Sequence, residues 1–415
     1  MTRTVPLHVL MINSGKSEAV DELRLAEPSV DLDVITEAGY AKQYPADVRL
    51  HFVADIGDLD AVRALALDLQ RQRPIDRVLS PSERSQQPAG YLRTYLGLPG
   101  IGYEVANRFS NKAVMKRALT DAGIAVAEHR IVYDTAEVEP GAQRLGWPVV
   151  VKPALGTGSM NTVKADDAGQ WREHLASEAS AGLRRAVARC PLLVERFVEM
   201  TGEYHCDGVV REGRVEFAAV SRYFMPLLGE IDAFTGSYVL PTGDPRIEAI
   251  GALHSRTVRA LGLRDGVTHL EVFETRDGFL VGEIACRPAG GGIVEAVRLQ
   301  FGVDLWRVSM DSALGRPLVL PEPAARLRPE IVVNCDLPIR PGRVLRISGA
   351  NELAGLPGVI SSRMSIGPGD VIGSRLHSAS TTGLVFLAVE DEDAVGQRVR
   401  TLTEAYVLEV EQLRE

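Results

Sequence analysis

Short apolar runs alternate with amphipathic stretches along the first hundred residues of the chain. The segments LHVLMI, LDVIT and VRLHFV are typical of strands, and IDRVLSPSE continues from a strand into a loop. Between them, SEAVDELRLA and DLDAVRALALDLQRQR place their apolar residues on one face of a helix. Strands that alternate with helices predict a small parallel α/β sheet. The fingerprint GxGxxG is missing after the first strand, where the chain reads NSGKSEA, so a dinucleotide site is disfavoured there.

A helix of about three turns is predicted in RFSNKAVMKRALTDAGI, with Ser110 as its N-cap and Gly123 as its stop. Lys112 falls in its first turn, where the helix dipole disfavours a cation. A lysine there is either an indifferent surface residue or one kept to meet an anion. From this stretch alone, the surface interpretation is the better supported.

A hairpin is predicted in WPVVVKPALGTGSMNTVKADD, which runs through Lys152 and a small loop, Gly156–Ser159, into a second strand. The segment is not a Walker A loop, because its glycines lead into a strand instead of a helix. Backbone N–H groups at the tip could close over a phosphate chain while Lys152 supplies charge. A plain glycine hairpin is an equally good interpretation. The following segment, AGQWREHLASEASAGLRRAVAR, predicts one long helix.

Acidic residues stand on otherwise apolar strands in the next part of the chain. LLVERFV predicts a strand that contains Glu195, and EYHCDGVVREGRVEFAAVS predicts a hairpin that turns at residues 212–213 and begins with Glu203. His205 and Asp207 alternate onto one face of this hairpin. No third ligand lies nearby in the sequence, so a packed or hydrogen-bonded histidine is favoured over a zinc site.

A second hairpin is predicted in GVTHLEVFETRDGFLVGEIACRPAGGG. If its loop consists of the three residues 276–278, Thr275 pairs with Phe279, and Glu271 lies directly across from Glu283. A loop of two residues would instead place the two glutamates on opposite faces. The predicted register therefore depends on the loop length.

In that register His269 lies across from Ala285, and two like charges face each other on neighbouring strands. Facing like charges destabilise a sheet by up to about 1 kcal/mol, and a divalent cation between them would replace repulsion with ligation. Ligands that are all oxygens favour Mg²⁺ or Mn²⁺ over zinc. Two glutamates splayed into solvent are the alternative, but the flanking residues are largely apolar, which weakens it. Beyond them, Arg287 and the glycines at 290–292 suit bidentate contact with an anion and close backbone approach.

Composition limits the class of protein. A chain of 415 residues predicts two to four domains. The net charge of −9 and the lack of a basic run argue against nucleic acid as a partner. Four cysteines without a CxxC pair predict reduced thiols in a cytoplasmic protein. No cleavage-like leader and no stretch long enough to span a membrane is found, so a cytosolic globular protein is expected.

Five segments follow one another between about residues 108 and 300: NKAVMK, VVVKPALGTGS, LVERFVEMTGEY, THLEV and GEIACRPAGGG. In this order they resemble the ATP-grasp superfamily, and within it the carboxylate–amine ligases that include bacterial L-amino acid ligases. The stretch GRVLRISGANELAGLPGVISSRMSIGPGDVI resembles the small β-rich domain that ends the amino acid ligases. The resemblance implies an α/β ATP-grasp fold of four parts: a Rossmann-like N-terminal domain, two ATP-grasp subdomains and the β-rich C-terminal domain. Their implied bounds are 1–108, 109–190, 191–325 and 326–415.

The resemblance also implies roles for individual residues. The residues implied to bind ATP are Lys112, Lys152, Gly156, Gly158, Ser159, Glu195, Phe197, Val198 and Glu203. Those implied to hold Mg²⁺ (or Mn²⁺) are Glu271 and Glu283. Arg287 is implied to steady the acyl phosphate and the tetrahedral intermediate, with His269, Gly290 and Gly291 beside it as candidates for substrate binding. His269 is also a candidate for guiding a proton from the amine, although a histidine packed for structure is nearly as good an interpretation. Arg222, in SRYFMPLLGEIDAFTGSYVLP, is a further candidate for a substrate carboxylate, although a surface arginine is the commoner case.

One residue departs from the family pattern. Many relatives have asparagine two residues after the second glutamate, where this chain has Ala285. An alanine offers no ligand to a second metal ion, and the amino acid ligases often have a small residue at this place. The number of metal ions therefore stays open.

The implied reaction is the ATP-dependent formation of an amide. The γ-phosphoryl group activates a carboxylate as an acyl phosphate, ADP leaves, and an amine then displaces phosphate. The implied partners are a small-molecule carboxylate and an amine, and the family suggests a homodimer. Two alternatives stay open: a ligase of purine or secondary-metabolite biosynthesis with other substrates, and a protein that binds ATP without turnover.

Overall fold

Four parallel strands form the first sheet in the computed structural model, which describes residues 6–226, 234–320, 326–373, 376 and 380–412. The strands are β1 His8–Ile12, β2 Asp31–Glu37, β3 Arg49–Val53 and β4 Arg77–Leu79. They lie in the order β3-β2-β1-β4, and β1 is buried along its whole length. The helices of this part are α1 Glu18–Ala26, α2 Leu59–Gln72, α3 Glu83–Leu96 and α4 Tyr103–Arg108. The predicted parallel α/β sheet is confirmed.

The helix α3 begins four residues after β4 ends, at the carboxyl edge of the sheet. Ser82 and Ser85 cap its start through reciprocal side-chain contacts. Because ligands of open parallel sheets bind at the carboxyl ends of the strands, Glu83 at the first position of α3 enters the region where a site is expected.

Four antiparallel strands form the second sheet. They are β5 His129–Val132, β6 Val149–Pro153, β7 Val163–Ala165 and β8 Leu192–Arg196, in the order β5-β8-β6-β7. Its helices are α5 Lys112–Asp121, α6 Val138–Leu145, α7 Ala168–Ala176 and α8 Ala181–Val187. The predicted glycine hairpin is confirmed as β6 and β7. The strand β8 lies beyond residue 190, the predicted end of the first ATP-grasp subdomain, yet it pairs with β5 and β6 of this sheet.

The prediction of one long helix after this hairpin was wrong. It is divided into α7 and α8 by the 3-10 turn Glu178–Ser180. The buried Ser180 hydroxyl donates hydrogen bonds to the carbonyls of Leu175 and Ser177. A serine that bonds nearby backbone carbonyls competes with the regular helix, which accounts for the break.

The long central sheet begins with five strands, β9 Gly202–Arg211, β10 Arg214–Tyr223, β11 Thr235–Val239, β12 Gly266–Thr275 and β13 Gly278–Ala285. The helices around it are α9 Pro245–Leu261, α10 Ile293–Phe301 and α11 Leu305–Leu314. The predicted turn between β9 and β10 is confirmed: Glu212 and Gly213, with φ of 51° and 79°, lie between the paired Arg211 and Arg214.

The remaining strands are β14 Ile331–Asp336, β15 Gly342–Ile347, β16 Val359–Met364, β17 Val371–Ile372, β18 Gly383–Val389 and β19 Leu408–Glu411. The helices of this part are α12 Ala350–Ala354 and α13 Glu392–Ala405. Three of these strands extend the central sheet, whose order is β13-β12-β9-β10-β11-β14-β18-β16. The others form a small sheet in the order β17-β15-β19. Residues beyond 325 therefore share a continuous sheet with the β9–β13 segment.

None of the helices in the described part of the chain is both long and apolar enough to cross a lipid bilayer.

Candidate active site

The hairpin of β12 and β13 brings the two predicted metal ligands face to face. Glu271 and Glu283 are directly paired, as the sequence predicted. The predicted three-residue loop, however, was wrong: Thr275 pairs with Gly278 and not with Phe279, so the turn contains two residues. A register shift next to Glu271 then restores the pairing.

The extra residue of this shift is Gly282, which lies next to Glu283 on β13. A β-bulge sets two residues of one strand against one of its partner and so changes which face the following side chains occupy. A Cβ atom on Gly282 would lie 2.8 Å from the ring of Phe273. The absence of a side chain at Gly282 therefore lets Glu283 face the same cavity as Glu271.

This cavity, about 180 Å³ in volume, is lined mainly by residues of the second sheet and of the central sheet. Its walls include every residue that was predicted to bind ATP: Lys112, Lys152, Gly156, Gly158, Ser159, Glu195, Phe197, Val198 and Glu203. They also include the predicted metal ligands and the two predicted catalytic residues: Glu271, Glu283, His269 and Arg287. The structure thus brings together residues that are spread over nearly two hundred positions of the sequence.

Lys112 is buried in this cavity and faces anions. It is the first residue of α5, whose N-cap is Asn111 and not the predicted Ser110. The Asn111 side chain accepts hydrogen bonds from two backbone N–H groups of the first turn, while the Ser110 hydroxyl donates to the Ala106 carbonyl. Lys112 Nζ lies 2.7 Å from Glu283 Oε1 and donates to the Gly156 carbonyl, also at 2.7 Å. Of the two interpretations of this lysine, the structure supports the one that meets an anion.

Two lysines surround Glu195. Its carboxylate oxygens lie 3.3 Å from Lys116 Nζ and 3.1 Å from Lys152 Nζ. Burial opposes ionisation of this carboxyl, but Lys116 and Lys152 lower the pKa of Glu195 below its ordinary value. Lys116 was not predicted, although it follows Lys112 by four residues and so shares its helix face.

Glu83 is a further residue that the sequence analysis missed. It is buried, and its Oε2 accepts a hydrogen bond of 2.6 Å from Arg287 Nη2, while its Oε1 lies 3.5 Å from Lys112 Nζ. Burial opposes ionisation, but Lys112 and Arg287 lower the pKa of Glu83. The signal that could have found it is its position four residues after a strand of the parallel sheet, at the edge where functional residues collect.

The donor set fits a divalent cation. Three carboxylates, of Glu83, Glu271 and Glu283, face two cations, Lys112 and Arg287, in the same cavity. Burial, with repulsion from Glu83 and Glu271, raises the pKa of Glu283 even though Lys112 lies beside it. Carboxylate oxygens that converge in one cavity are the ligands that Mg²⁺ and Mn²⁺ prefer.

His269 is held by Asp207. His269 Nδ1 lies 2.9 Å from Asp207 Oδ1, and His269 Nε2 lies 3.7 Å from Glu271 Oε1. Burial disfavours the imidazolium, but Asp207 raises the pKa of His269 to about 9. His205 Nδ1 lies 2.5 Å from Asp207 Oδ2. The expectation that His205 and Asp207 have no third neighbour was wrong, because β12 places His269 beside them, but the preference for a hydrogen-bonded histidine is supported.

This pair of histidines belongs to a longer buried chain of hydrogen bonds across the central sheet. His205 Nε2 lies 2.8 Å from the Ser237 hydroxyl, which donates to Asn334 Oδ1 at 2.8 Å. Asn334 Nδ2 then donates to the Gly291 carbonyl at 2.8 Å. The chain connects the His269 imidazole with the glycine loop that follows Arg287.

A second cavity, about 530 Å³ in volume, lies against the first. The two share part of their walls, made of Glu83, Thr157, Gly158, Met160, His269, Glu271 and Arg287. The second cavity also contains the predicted substrate residues Gly290 and Gly291. Because the loop Gly156–Ser159 contributes to both walls, it lies between the nucleotide side and the larger space.

Lys16 extends from the loop NSGKSEA after β1 into the wall of the second cavity. Its Nζ donates to the Pro288 carbonyl at 3.1 Å. Burial, together with the neighbouring Arg287, lowers the pKa of Lys16 to about 7. In the sequence this loop was notable only for lacking the dinucleotide fingerprint, and no role was predicted for Lys16.

Arg222 lies elsewhere. It is absent from the described walls of both cavities, whereas its neighbour Tyr223 lines the second. Successive strand residues face opposite sides of a sheet, so Arg222 points to the far side. There its Nη1 lies 3.4 Å from Glu392 Oε1. Its position gives no support to the predicted contact with a substrate carboxylate, and residues 227–233 of the same segment lie outside the described residues.

Known proteins resemble the chain in both sequence and structure. Residues 145–295 match the ATP-grasp domain, and residues 337–411 match the L-amino acid ligase C-terminal domain 2. The chain is 31% identical over 411 residues to the L-arginine-specific L-amino acid ligase of Bacillus subtilis, and this match covers 97% of each protein. The crystal structure of the L-amino acid ligase from Bacillus licheniformis superposes with a TM-score of 0.76 at 18% identity, over 99% of this chain and 100% of that one. An ATP complex of carboxyaminoimidazole ribonucleotide synthase from Aspergillus clavatus gives a TM-score of 0.70 at 17% identity, over 96% and 98% of the two chains.

Proposed function

The chain belongs to the L-amino acid ligase family of ATP-grasp enzymes, and from this premise we propose that it joins the carboxylate of an amino acid to the amine of a second amino acid or small amine. As a member of this family it is an ATP-dependent carbon–nitrogen ligase. One observation carries the proposal. Lysines suited to bind phosphate, the paired glutamates and Arg287 line the first cavity where it adjoins the second.

In the first step, a carboxylate oxygen of the acid attacks the γ-phosphorus of ATP. The new C–O–P bond forms while the bond from the γ-phosphorus to the β,γ-bridging oxygen breaks, and ADP leaves with the electron pair. Lys112 and Lys152 would neutralise the phosphate oxygens, since both line the first cavity. Phe197, Val198, Glu195 and Glu203 would surround the nucleoside end. Because Lys152 pairs with Glu195 in the free protein, ATP would have to compete for that lysine.

Glu271 and Glu283 would hold Mg²⁺ or Mn²⁺. When bound, such an ion supplies positive charge to the transferring phosphoryl group. The support for this assignment is the direct pairing of Glu271 with Glu283 in the wall of the cavity, together with the raised pKa of Glu283.

In the second step, the amine attacks the acyl carbon of the acyl phosphate. The C–N bond forms, the bond between the acyl carbon and the phosphate oxygen breaks, and phosphate leaves with the electron pair and takes up the proton that the amine loses. Arg287 would stabilise the oxyanion of the tetrahedral intermediate. Glu83 would orient Arg287 through their hydrogen bond of 2.6 Å. His269 and the glycines at 290 and 291 would contact the substrates from the adjoining walls.

The loop Gly156–Ser159 would close between the two cavities once ATP and the acid are bound. A closed loop would keep water from hydrolysing the acyl phosphate before the amine arrives. The positive φ of Gly158 and Ser159, 63° and 56°, gives this tip a conformation that is uncommon outside glycine.

Amino acids are favoured over the other substrates considered. The match of residues 337–411 to the L-amino acid ligase C-terminal domain and the identity to an L-arginine-specific ligase over 97% of the chain both support this choice. Binding of ATP without turnover is disfavoured, because the lysines, the paired glutamates and Arg287 all line one cavity. A homodimer and a cytoplasmic location stay predictions of the sequence.

The experiment that tests the proposal measures phosphate release from ATP with Mg²⁺ across pairs of amino acids and amines, with mass spectrometry of each active pair. We expect release that needs both substrates and a product mass equal to their sum less one water. The Glu283→Gln variant serves as the inactive control. Binding of ATP without release for every pair would contradict the proposal.

A further inference from the structure

Asp336, the last residue of β14, presents a carboxylate to the wall of the second cavity. We propose that Asp336 forms a subsite for a positively charged group of the carboxylate substrate, which rests on the proposed function as a ligase. Neither the sequence motifs nor the reaction steps above give this residue a role.

One oxygen of the Asp336 carboxylate lacks a hydrogen-bond partner among the described residues. Its Oδ1 atom is buried and accepts no hydrogen bond. Burial raises the pKa of Asp336 to about 7, and Arg363 offsets this only in part. The neighbouring Asn334 cannot satisfy it, because its amide already donates to the Gly291 carbonyl and accepts from Ser237. A buried carboxylate oxygen without a hydrogen bond is costly for a protein to keep, which indicates that a ligand completes the site.

Backbone geometry keeps this carboxylate within reach of the cavity. Gly291 has a φ of 59°, and a Cβ atom on it would lie 3.3 Å from Asp336 Oδ2. A side chain at this position would crowd the carboxylate. The glycine therefore leaves space beside Asp336 on the loop that follows Arg287.

The cations in the wall of the second cavity are already engaged. Lys16 donates to the Pro288 carbonyl, and Arg287 donates to Glu83 and Pro288. Arg84 contacts Ser14, Glu37 and Asp55. Among the described residues of this cavity, none of these three cations pairs with Asp336.

A cationic group of the ligand would complete the site. A carboxylate forms stronger hydrogen bonds with a charged donor than with a neutral one. Because Asp336 and Arg287 line the same cavity, one molecule could direct its carboxylate to Arg287 and a cation to Asp336. An amino acid carries such a cation in its α-ammonium group, and a basic amino acid carries another in its side chain.

The test compares wild type with Asp336→Asn, a variant of nearly the same shape without the charge. Steady-state KM and kcat are measured for three acids with one fixed amine: L-arginine, its neutral isostere L-citrulline, and 5-guanidinopentanoate, which lacks the α-ammonium group. Asp370→Asn is the matched control, because Asp370 is exposed and lies outside the described walls of the cavity. We expect KM to rise by between about ten- and a hundredfold for acids whose cation meets Asp336, with a much smaller change in kcat.

The three acids distinguish the source of the cation. A rise for arginine and 5-guanidinopentanoate, but not for citrulline, assigns the subsite to the side-chain cation. A rise for arginine and citrulline, but not for 5-guanidinopentanoate, assigns it to the α-ammonium group. An unchanged KM for all three acids, or a loss of kcat alone, would overturn the inference. Failure of the wild type to ligate any pair would instead count against the proposed function.

A readout without substrate protects the test against poor folding of the variant. If Asp336 awaits a cation, Asp336→Asn removes an unsatisfied charge, and its melting temperature without ligand is expected to equal or exceed that of wild type. Added L-arginine should then stabilise wild type more than the variant. A variant that is less stable than wild type and gains equally from arginine would contradict the subsite.

Discussion

Lys112 Nζ lies 2.7 Å from Glu283 Oε1, so the first residue of α5 neutralises a predicted metal ligand on the hairpin of the central sheet. Burial opposes the charged form of this lysine, but Glu283 and Glu83 raise the pKa of Lys112 above its ordinary range. The same lysine is proposed to meet the phosphates of ATP. The free enzyme thus pairs the lysine that is proposed to bind phosphate with a carboxylate that is proposed to bind the metal.

The strength of this pair can be measured with a double-mutant cycle of Lys112→Met and Glu283→Gln. We expect a coupling of about 1–3 kcal/mol in the free energy of unfolding by urea, because both side chains are largely buried. The exposed pair Arg298–Glu295 is the matched control, with an expected coupling of about 0.5 kcal/mol or less. Additive effects of the two buried changes would show that they do not stabilise each other.

Glu271→Gln tests the metal site. Loss of one carboxylate oxygen is expected to weaken the binding of Mg²⁺ and to lower turnover by about a hundredfold or more at fixed Mg²⁺, while ATP-dependent activity partly recovers at high Mg²⁺. The measurement is phosphate release over a Mg²⁺ titration. Glu216→Gln, which changes a glutamate that pairs with Arg211 outside both cavities, should leave the titration unchanged. The same Mg²⁺ dependence in wild type and Glu271→Gln would remove this residue from the site.

Gly282→Ala tests the bulge that sets the two glutamates on one face. The new methyl group would lie 2.8 Å from the Phe273 ring, so we expect a loss of about 1–3 kcal/mol in stability and a marked loss of turnover. Denaturant unfolding and phosphate release measure the two effects. The double variant Gly282→Ala/Phe273→Leu should regain part of both, because the ring is the obstacle. No loss in the single variant would mean that the strand accommodates a side chain at the bulge.

Asp207→Asn tests whether Asp207 positions His269. Asp207 uses one oxygen for His269 Nδ1 and the other for His205 Nδ1. An asparagine has only one side-chain oxygen and would lose one of these hydrogen bonds, so a loss of stability of about 1–3 kcal/mol is expected. If the orientation of His269 matters for the reaction, kcat should fall while the KM for ATP stays near the wild-type value. Ser237→Ala, which changes the chain beyond His205, should cost stability with a smaller effect on kcat. Equal kcat losses in both variants would indicate a purely structural role.

Asp336 predicts a pH dependence of stability. Burial raises its pKa from the ordinary 3.8 to about 7, so between these values the folded chain binds a proton that the unfolded chain has lost. Stability of wild type relative to Asp336→Asn should therefore fall as the pH rises from about 4 to 7, by up to about 1.4 kcal/mol per pH unit, and then level off. Arg363 lowers this pKa in part, and Tyr223 lies close enough to feel the charge. Urea unfolding of both proteins between pH 4 and 8 measures the difference, and parallel curves would contradict the raised pKa.

The sequence by itself determined the local elements and the chemical class of the site. The alternation of strands and helices before residue 100 is confirmed as a parallel sheet. The pairing of Glu271 with Glu283 is confirmed too, although the three-residue turn from which it was predicted was wrong. Periodicity and short turns are local properties, since they depend on residues within one or two turns or strands of one another. The order of the motifs added the family, because their joint occurrence is far more specific than any one of them.

Only the tertiary structure decided which side chains meet. Glu83 and Arg287 are separated by 204 positions, and Asp336 reaches the cavity only because β14 continues the central sheet. The face of Glu283 depends on the bulge at Gly282, which compensates for the two-residue turn. Arg222 was predicted to contact a substrate carboxylate, but it lies on the face of β10 that is turned away from the second cavity. Such contacts depend on how segments far apart in the sequence pack together and on the space left between them. The local pattern of apolar and polar residues does not determine either.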